Sequence, residues 1–121
     1  MDQPLPSRTA PDTHQARLAR LAEIAVQVGL NLQPGQELVM TAPIAALPLA
    51  RLITDAAYRA GATLVTTLFA DDQQSLSRFR HARPEGFDHA AGWLYDGMAA
   101  AFRGGAARLA IVGDDPNLLA G

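Results

Sequence analysis

The chain has 121 residues and a net charge of −2, which argues against nucleic acid or an anionic membrane surface as its main partner. Cys and Lys are both absent, and all 10 basic residues are Arg. This excludes thiolate nucleophiles, disulfides, Cys-ligated zinc, Schiff-base lysines and the Walker-type phosphate lysine. The hydrophobic fraction of 49% suits one globular domain, and no apolar run approaches the ~18 residues of a membrane span. Residues 1–12 carry Pro4, Pro6 and Pro11 among polar neighbours and read as a disordered arm. No basic stretch leading into an apolar one is visible at Met1–Ser7, so the expected compartment is the cytoplasm.

A first helix is expected over Thr13–Val28. Leu18, Leu21, Ala25 and Val28 recur at helical spacing, Thr13 can cap the start, and Gly29 stands where a left-handed C-cap is wanted. Asn31-Leu32-Gln33-Pro34-Gly35-Gln36 then contains a Pro-Gly turn signal. Glu37–Thr41 reads as a strand, and Ala42-Pro43 leads into a second helix. Pro48 is tolerable there only in the first turn. Leu49, Leu52, Ile53, Ala56 and Ala60 form its buried face, and Gly61 ends it. Thr63–Phe69 is β-branched and apolar without a break, the pattern of a strand covered on both sides. Residues 37–69 thus form a βαβ unit with a right-handed crossover.

Asp71-Asp72 can cap a third helix over Gln73–His81, with Leu76 and Phe79 inward. Arg83-Pro84-Glu85-Gly86 breaks the chain. A fourth helix is expected over Phe87–Arg103, with Phe87, Ala91, Leu94, Met98 and Ala101 on one stripe. Gly92 and Gly97 inside it point to close packing against a neighbour. Gly104-Gly105 stops the helix, and Arg108–Val112 is a third strand. Gly113–Gly121, with Asp114-Asp115-Pro116, reads as the entry to a further helix. The expected fold class is α/β: a three-layer, mostly parallel three-stranded sheet with about four helices, truncated before the next crossover.

Candidate chemistry is sparse. His14, His81 and His89 fall outside any metal-binding spacing, and His81 suits a helix C-terminus. Asp71-Asp72 and Asp114-Asp115 both follow strands, on the rim where open parallel sheets bind ligands. They can hold a cation or a substrate amine; capping of helices is the plainer role. Arg78, Arg80 and Arg83 make a basic cluster with His81, suited to an anion, to solvent or to an interface. Ser75 and Ser77 have no activating His–Asp arrangement. No glycine-rich dinucleotide fingerprint follows the first strand, where Thr41-Ala42-Pro43-Ile44 stands.

Four stretches taken together resemble the aminopeptidase T and aminopeptidase S family of metallo-aminopeptidases. They are Leu21-Ala22-Glu23-Ile24-Ala25-Val26-Gln27-Val28-Gly29-Leu30-Asn31-Leu32-Gln33-Pro34-Gly35-Gln36, then Ala42-Pro43, then Ala57-Tyr58-Arg59-Ala60-Gly61-Ala62, and Asp115-Pro116-Asn117-Leu118-Leu119. The resemblance runs from about His14 to the end and implies that residues 13–121 are an incomplete amino-terminal α/β domain. It further implies a homodimeric parent enzyme that removes residues from free peptide N-termini with divalent metal ions. The family's Glu, His and Asp ligands and its catalytic Glu belong to a carboxy-terminal domain. No catalytic, cofactor-binding or metal-ligating residue is therefore carried over to this chain, and the 121 residues alone are expected to be inactive. The alternatives are a self-standing α/β module binding a small ligand at the acidic rim, and an interaction subunit that pairs through an exposed sheet edge.

Overall fold

The structure, a computed structural model, describes residues 5–112. Its elements are α1 (Leu5–Ile24), β1 (Glu37–Pro43), α2 (Leu47–Arg59), β2 (Leu64–Ala70), α3 (Asp72–His81), α4 (Gly92–Arg103) and β3 (Ala107–Ala110). The strands form one parallel sheet in the order β2-β1-β3. Glu37 pairs with Leu64 and Leu38 with Ala107, so all three strands start at the same pole. The α/β class, the three strands and the four helices agree with the sequence pattern. The helix entry expected at 113–121 lies outside the described residues.

The core fills one face of the sheet. Leu38, Met40 and Ala42 of β1 point into it and meet Leu18, Ala22 and Val26 from the α1 side. Leu49, Ala50, Ile53, Ala56 and Ala57 of α2 and Ile111 beyond β3 complete it. Short alanines at these positions let the helices approach each other and the sheet closely. Pro48 lies in the first turn of α2, after a short 3₁₀ turn over Ile44–Ala46, where its missing N–H is not required. On the opposite face lies α4, next to β1, with an open groove between it and Thr66 and Leu68 of β2. Helices on both faces make three layers.

Several expectations are overturned. The first helix starts at Leu5 and not at Thr13, so residues 5–12 of the supposed arm have helical backbone and Thr13 is not a cap. Pro6 falls in the first turn, where a helix accepts it, whereas Pro11 has no N–H to give the Ser7 carbonyl. The buried stripe of α1 and the turn after it is Leu18, Ala22 and Val26. Leu21 is exposed, and Val28 has 74% of its surface exposed. Both stripes have helical spacing, and the buried one is the one that faces α2 and the core of the sheet.

At its end the helix widens into a π turn over Ala25–Gly29, with the Leu30 N–H bonded to the Ala25 carbonyl at 2.8 Å. The left-handed residue is therefore Asn31, φ 49°, and not Gly29. Asn tolerates this region better than other non-Gly residues. Gln33 holds it there, its Nε2 donating to the Asn31 carbonyl at 2.8 Å and to Asn31 Oδ1 at 3.1 Å.

The far side of the sheet is much less covered than the pattern of β2 suggests. No residue of β2, α3 or α4 is fully buried. As an edge strand, β2 has a partner on one side only, and α4 leaves part of its face open. Phe79, expected inward, is 75% exposed and meets Phe87 at 6.4 Å between ring centroids. Phe87 belongs to a 3₁₀ turn over Pro84–Asp88, and α4 begins only at Gly92. Among the described residues, nothing lies within 4 Å of a Cβ built at Gly92 or Gly97, so close packing there does not explain either glycine.

Candidate functional site

The carboxyl ends of the strands are the place to look for chemistry, because the strand order reverses between β1 and β3 and ligands of such sheets sit at that switch point. Of the two acidic pairs expected there, Asp114-Asp115 lies outside the described residues. Asp71 has extended backbone and caps α3, its carboxylate accepting the Gln73 N–H at 3.3 Å while its carbonyl accepts the Ser75 N–H at 3.1 Å. Asp72 is exposed in the first turn of α3, where a negative charge suits the helix dipole. A shallow cleft of about 340 Å³ beside them is lined by Ile44, Phe69, Ala70, Asp71 and Gln74. Geometry thus gives Asp71 the capping role.

The basic cluster is similarly absorbed. Arg78 Nη2 donates to the Gly86 carbonyl at 3.0 Å and to the His89 carbonyl at 2.6 Å, tying α3 to the 3₁₀ turn. Arg83 pairs with Glu85 at 2.8 Å. Arg80 and His81 are exposed in the last turn of α3. Ser75 and Ser77 are exposed on the same helix. His14 is half-buried on α1, and among the described residues its Nε2 has no hydrogen-bond partner. Among the described residues, no three His, Cys, Asp or Glu side chains come together in a way that could hold a metal ion.

The sequence motifs that looked most distinctive gather at the opposite pole. Both α2 and α4 end in the same way. The Gly61 N–H bonds the Tyr58 carbonyl and the Ala62 N–H the Ala57 carbonyl; the Gly105 N–H bonds the Phe102 carbonyl and the Ala106 N–H the Ala101 carbonyl. This paired pattern is the Schellman motif, and it needs a left-handed residue, here Gly61 at φ 102° and Gly105 at φ 100°. The Gln33–Gln36 turn docks on both exits. Gly35 N–H donates to the Gly61 carbonyl at 2.8 Å, and Gln36 Nε2 donates to the Gly105 carbonyl at 2.9 Å. Gln36 also accepts the Gln33 N–H on its Oε1 at 3.0 Å and the Thr63 N–H on its carbonyl at 3.0 Å.

One residue therefore fastens the starts of all three strands. Sequence reasoning marked Pro34-Gly35, Gly61 and Gly104-Gly105 as separate stops and missed that they converge. The available signal was the repetition of a helix-ending glycine followed by Ala and a strand.

A family model described as thermophilic metalloprotease (M29) matches residues 14–121. The chain belongs to this family of peptidases. It is 50% identical over 110 residues to aminopeptidase T of Thermus thermophilus, covering 91% of this chain and 27% of that protein. Aminopeptidase 2 of Geobacillus stearothermophilus is 38% identical over 105 residues, and aminopeptidase AmpS of Bacillus subtilis 34% over 110 residues. These matches cover 87% and 91% of this chain, and 25% and 27% of the two relatives. The solved structure of wild-type AmpT from Thermus thermophilus superposes with a TM-score of 0.80 at 50% identity, over 88% of this chain and 27% of that one. The chain spans about a quarter of the length of the curated relatives it matches.

Proposed function

We propose that this chain is the amino-terminal part of a metal-dependent aminopeptidase that releases residues from free peptide N-termini, with the catalytic domain outside these 121 residues. The observation that carries the proposal is the family match across 14–121 together with relatives named as aminopeptidases, of which the chain covers 25–27%. A metalloprotease family implies a metal ion. The described residues do not fit one, since their His, Asp and Glu side chains are dispersed or engaged as caps. What they supply is a scaffold, a fastened sheet with one finished face. We further read the parent as a cytoplasmic homodimer acting on peptides and not on nucleic acid or membrane; among the described residues no helix is long and apolar enough to cross a membrane.

The test is hydrolysis of a leucine-linked chromogenic amide with added divalent cations. The 121-residue chain should show none above background. A polypeptide in which the chain replaces the matching quarter of Thermus thermophilus aminopeptidase T should hydrolyse the amide, and chelation should abolish the reaction. Metal-dependent turnover by the chain alone, or an inactive well-folded hybrid, would overturn the reading.

A further inference from the structure

The α1/α2 face of the sheet is filled, whereas the α4 face is half-built. On that face a groove of about 260 Å³ runs between α4 and the β1–β2 pair, with Val39 and Thr66 on its floor and Trp93, Leu94 and Met98 on its wall. Trp93, the chain's one tryptophan, is 78% exposed. Leu64 and Thr66 of β2 are exposed, and among the described residues no helix covers β2 on this side. Gly97 lies along the groove with open space above it. Parallel sheets are covered by helices on both faces, and contiguous exposed apolar surface of this kind marks an interaction site. The free edge of β2 is already partly closed, because the Tyr58 hydroxyl accepts the outward Val65 N–H at 3.0 Å.

We infer that this groove is the docking surface for an amphipathic helix from the part of the polypeptide that the relatives have and these 121 residues lack. The inference rests on the reading that the chain is one part of a longer aminopeptidase. Its occupant follows from size: the chain covers 27% of aminopeptidase T, so a much larger remainder has to pack against this domain. The face left open is the one that a parallel sheet needs covered. A helix seated beside α4 and over β2 would bury Trp93, an aromatic of the kind that anchors interfaces. It would also use the space that Gly97 leaves.

The chain has no cysteine, so an introduced thiol reports on one place. Thr66→Cys puts it on the groove floor, and Ser75→Cys, on exposed α3, is the control. In the 121-residue chain both should react rapidly with a maleimide. In the hybrid with aminopeptidase T, after subtraction of the hybrid lacking the new cysteine, the position-66 thiol should react slower by roughly 100-fold or more, the protection given by a surface that opens only rarely. The control should stay fast.

Equal rates at position 66 in chain and hybrid would overturn the inference. So would protection in the chain alone that grows with its own concentration, which would make a second copy the occupant. Trp93→Cys repeats the measurement on the other wall, and a hybrid with the Thermus aquaticus relative, 47% identical, repeats it in a second host. A groove that lets the chain fold into neither host also overturns it. Amide hydrolysis separates the two claims: an active hybrid with a reactive position-66 thiol sinks the docking surface alone. An inactive hybrid with a protected thiol sinks the enzymatic reading alone.

Discussion

The side-chain amide of Gln36 donates to the carbonyl oxygen of Gly105 at 2.9 Å, across 69 positions of sequence. That contact joins the start of β1 to the start of β3, while the Gln36 carbonyl receives the Thr63 N–H at the start of β2. A sheet needs its strand starts aligned for the register to hold, and here one side chain and one turn align all three.

Replacing Gln36 by Ala removes the bond to Gly105 and the one to the Gln33 N–H. Each such bond contributes about 0.5–1.5 kcal/mol net, so the variant should lose about 1–3 kcal/mol. Gln36→Glu keeps an acceptor for Gln33 and loses the donor to Gly105, so it should fall between wild type and Ala. Urea unfolding of the three proteins side by side reads the order.

The helix-ending glycines should not be equivalent. At Gly61 a Cβ would lie 2.9 Å from Pro34 Cα, in addition to the strain of φ 102°. At Gly105 the φ of 100° is the whole problem, since nothing lies within 4 Å. Left-handed backbone costs an L-residue about 1–2 kcal/mol, and overpacking adds about 1–3 kcal/mol. Gly61→Ala should therefore cost about 2–5 kcal/mol and Gly105→Ala about 1–2 kcal/mol. Similar losses at the two positions would show that the Pro34 contact does not matter.

Gly97→Ala should stabilise the isolated chain. The position is inside α4 and open above, and Ala is favoured over Gly in a helix interior by about 1 kcal/mol. A rise in melting temperature checks it; a fall would mean that α4 packs more tightly than its open face indicates.

The two stripes of α1 make a direct comparison. Val26 is fully buried, and Val26→Ala should cost about 1–3 kcal/mol from lost burial and the cavity left behind. Val28, two residues on, is 74% exposed, and Val28→Ala should stay within about 0.5 kcal/mol. Thermal unfolding of both variants would expose a rotated helix if the costs were reversed.

The sequence by itself determined the kind and order of the elements. Hydrophobic period separated helices from strands, Pro-Gly and the helix-ending glycines marked their limits, and the βαβ unit followed from their succession. The four stretches from Leu21 to Leu119 pointed to the family that the comparisons then showed. Tertiary packing decided the rest. Leu18-Ala22-Val26 and Leu18-Leu21-Ala25-Val28 both have helical spacing, and only packing against α2 and the sheet selects the first. Asn31 takes the left-handed turn because a π turn shifts the end of the helix beyond Gly29. The apolar run of β2 looks the same in sequence whether its far face is covered or open, because covering a strand face takes residues outside the strand itself. Gln36 carries no local sign of its role either: a polar side chain after a Pro-Gly turn becomes a fastening only when two helix exits, one of them 69 positions away, are folded against it.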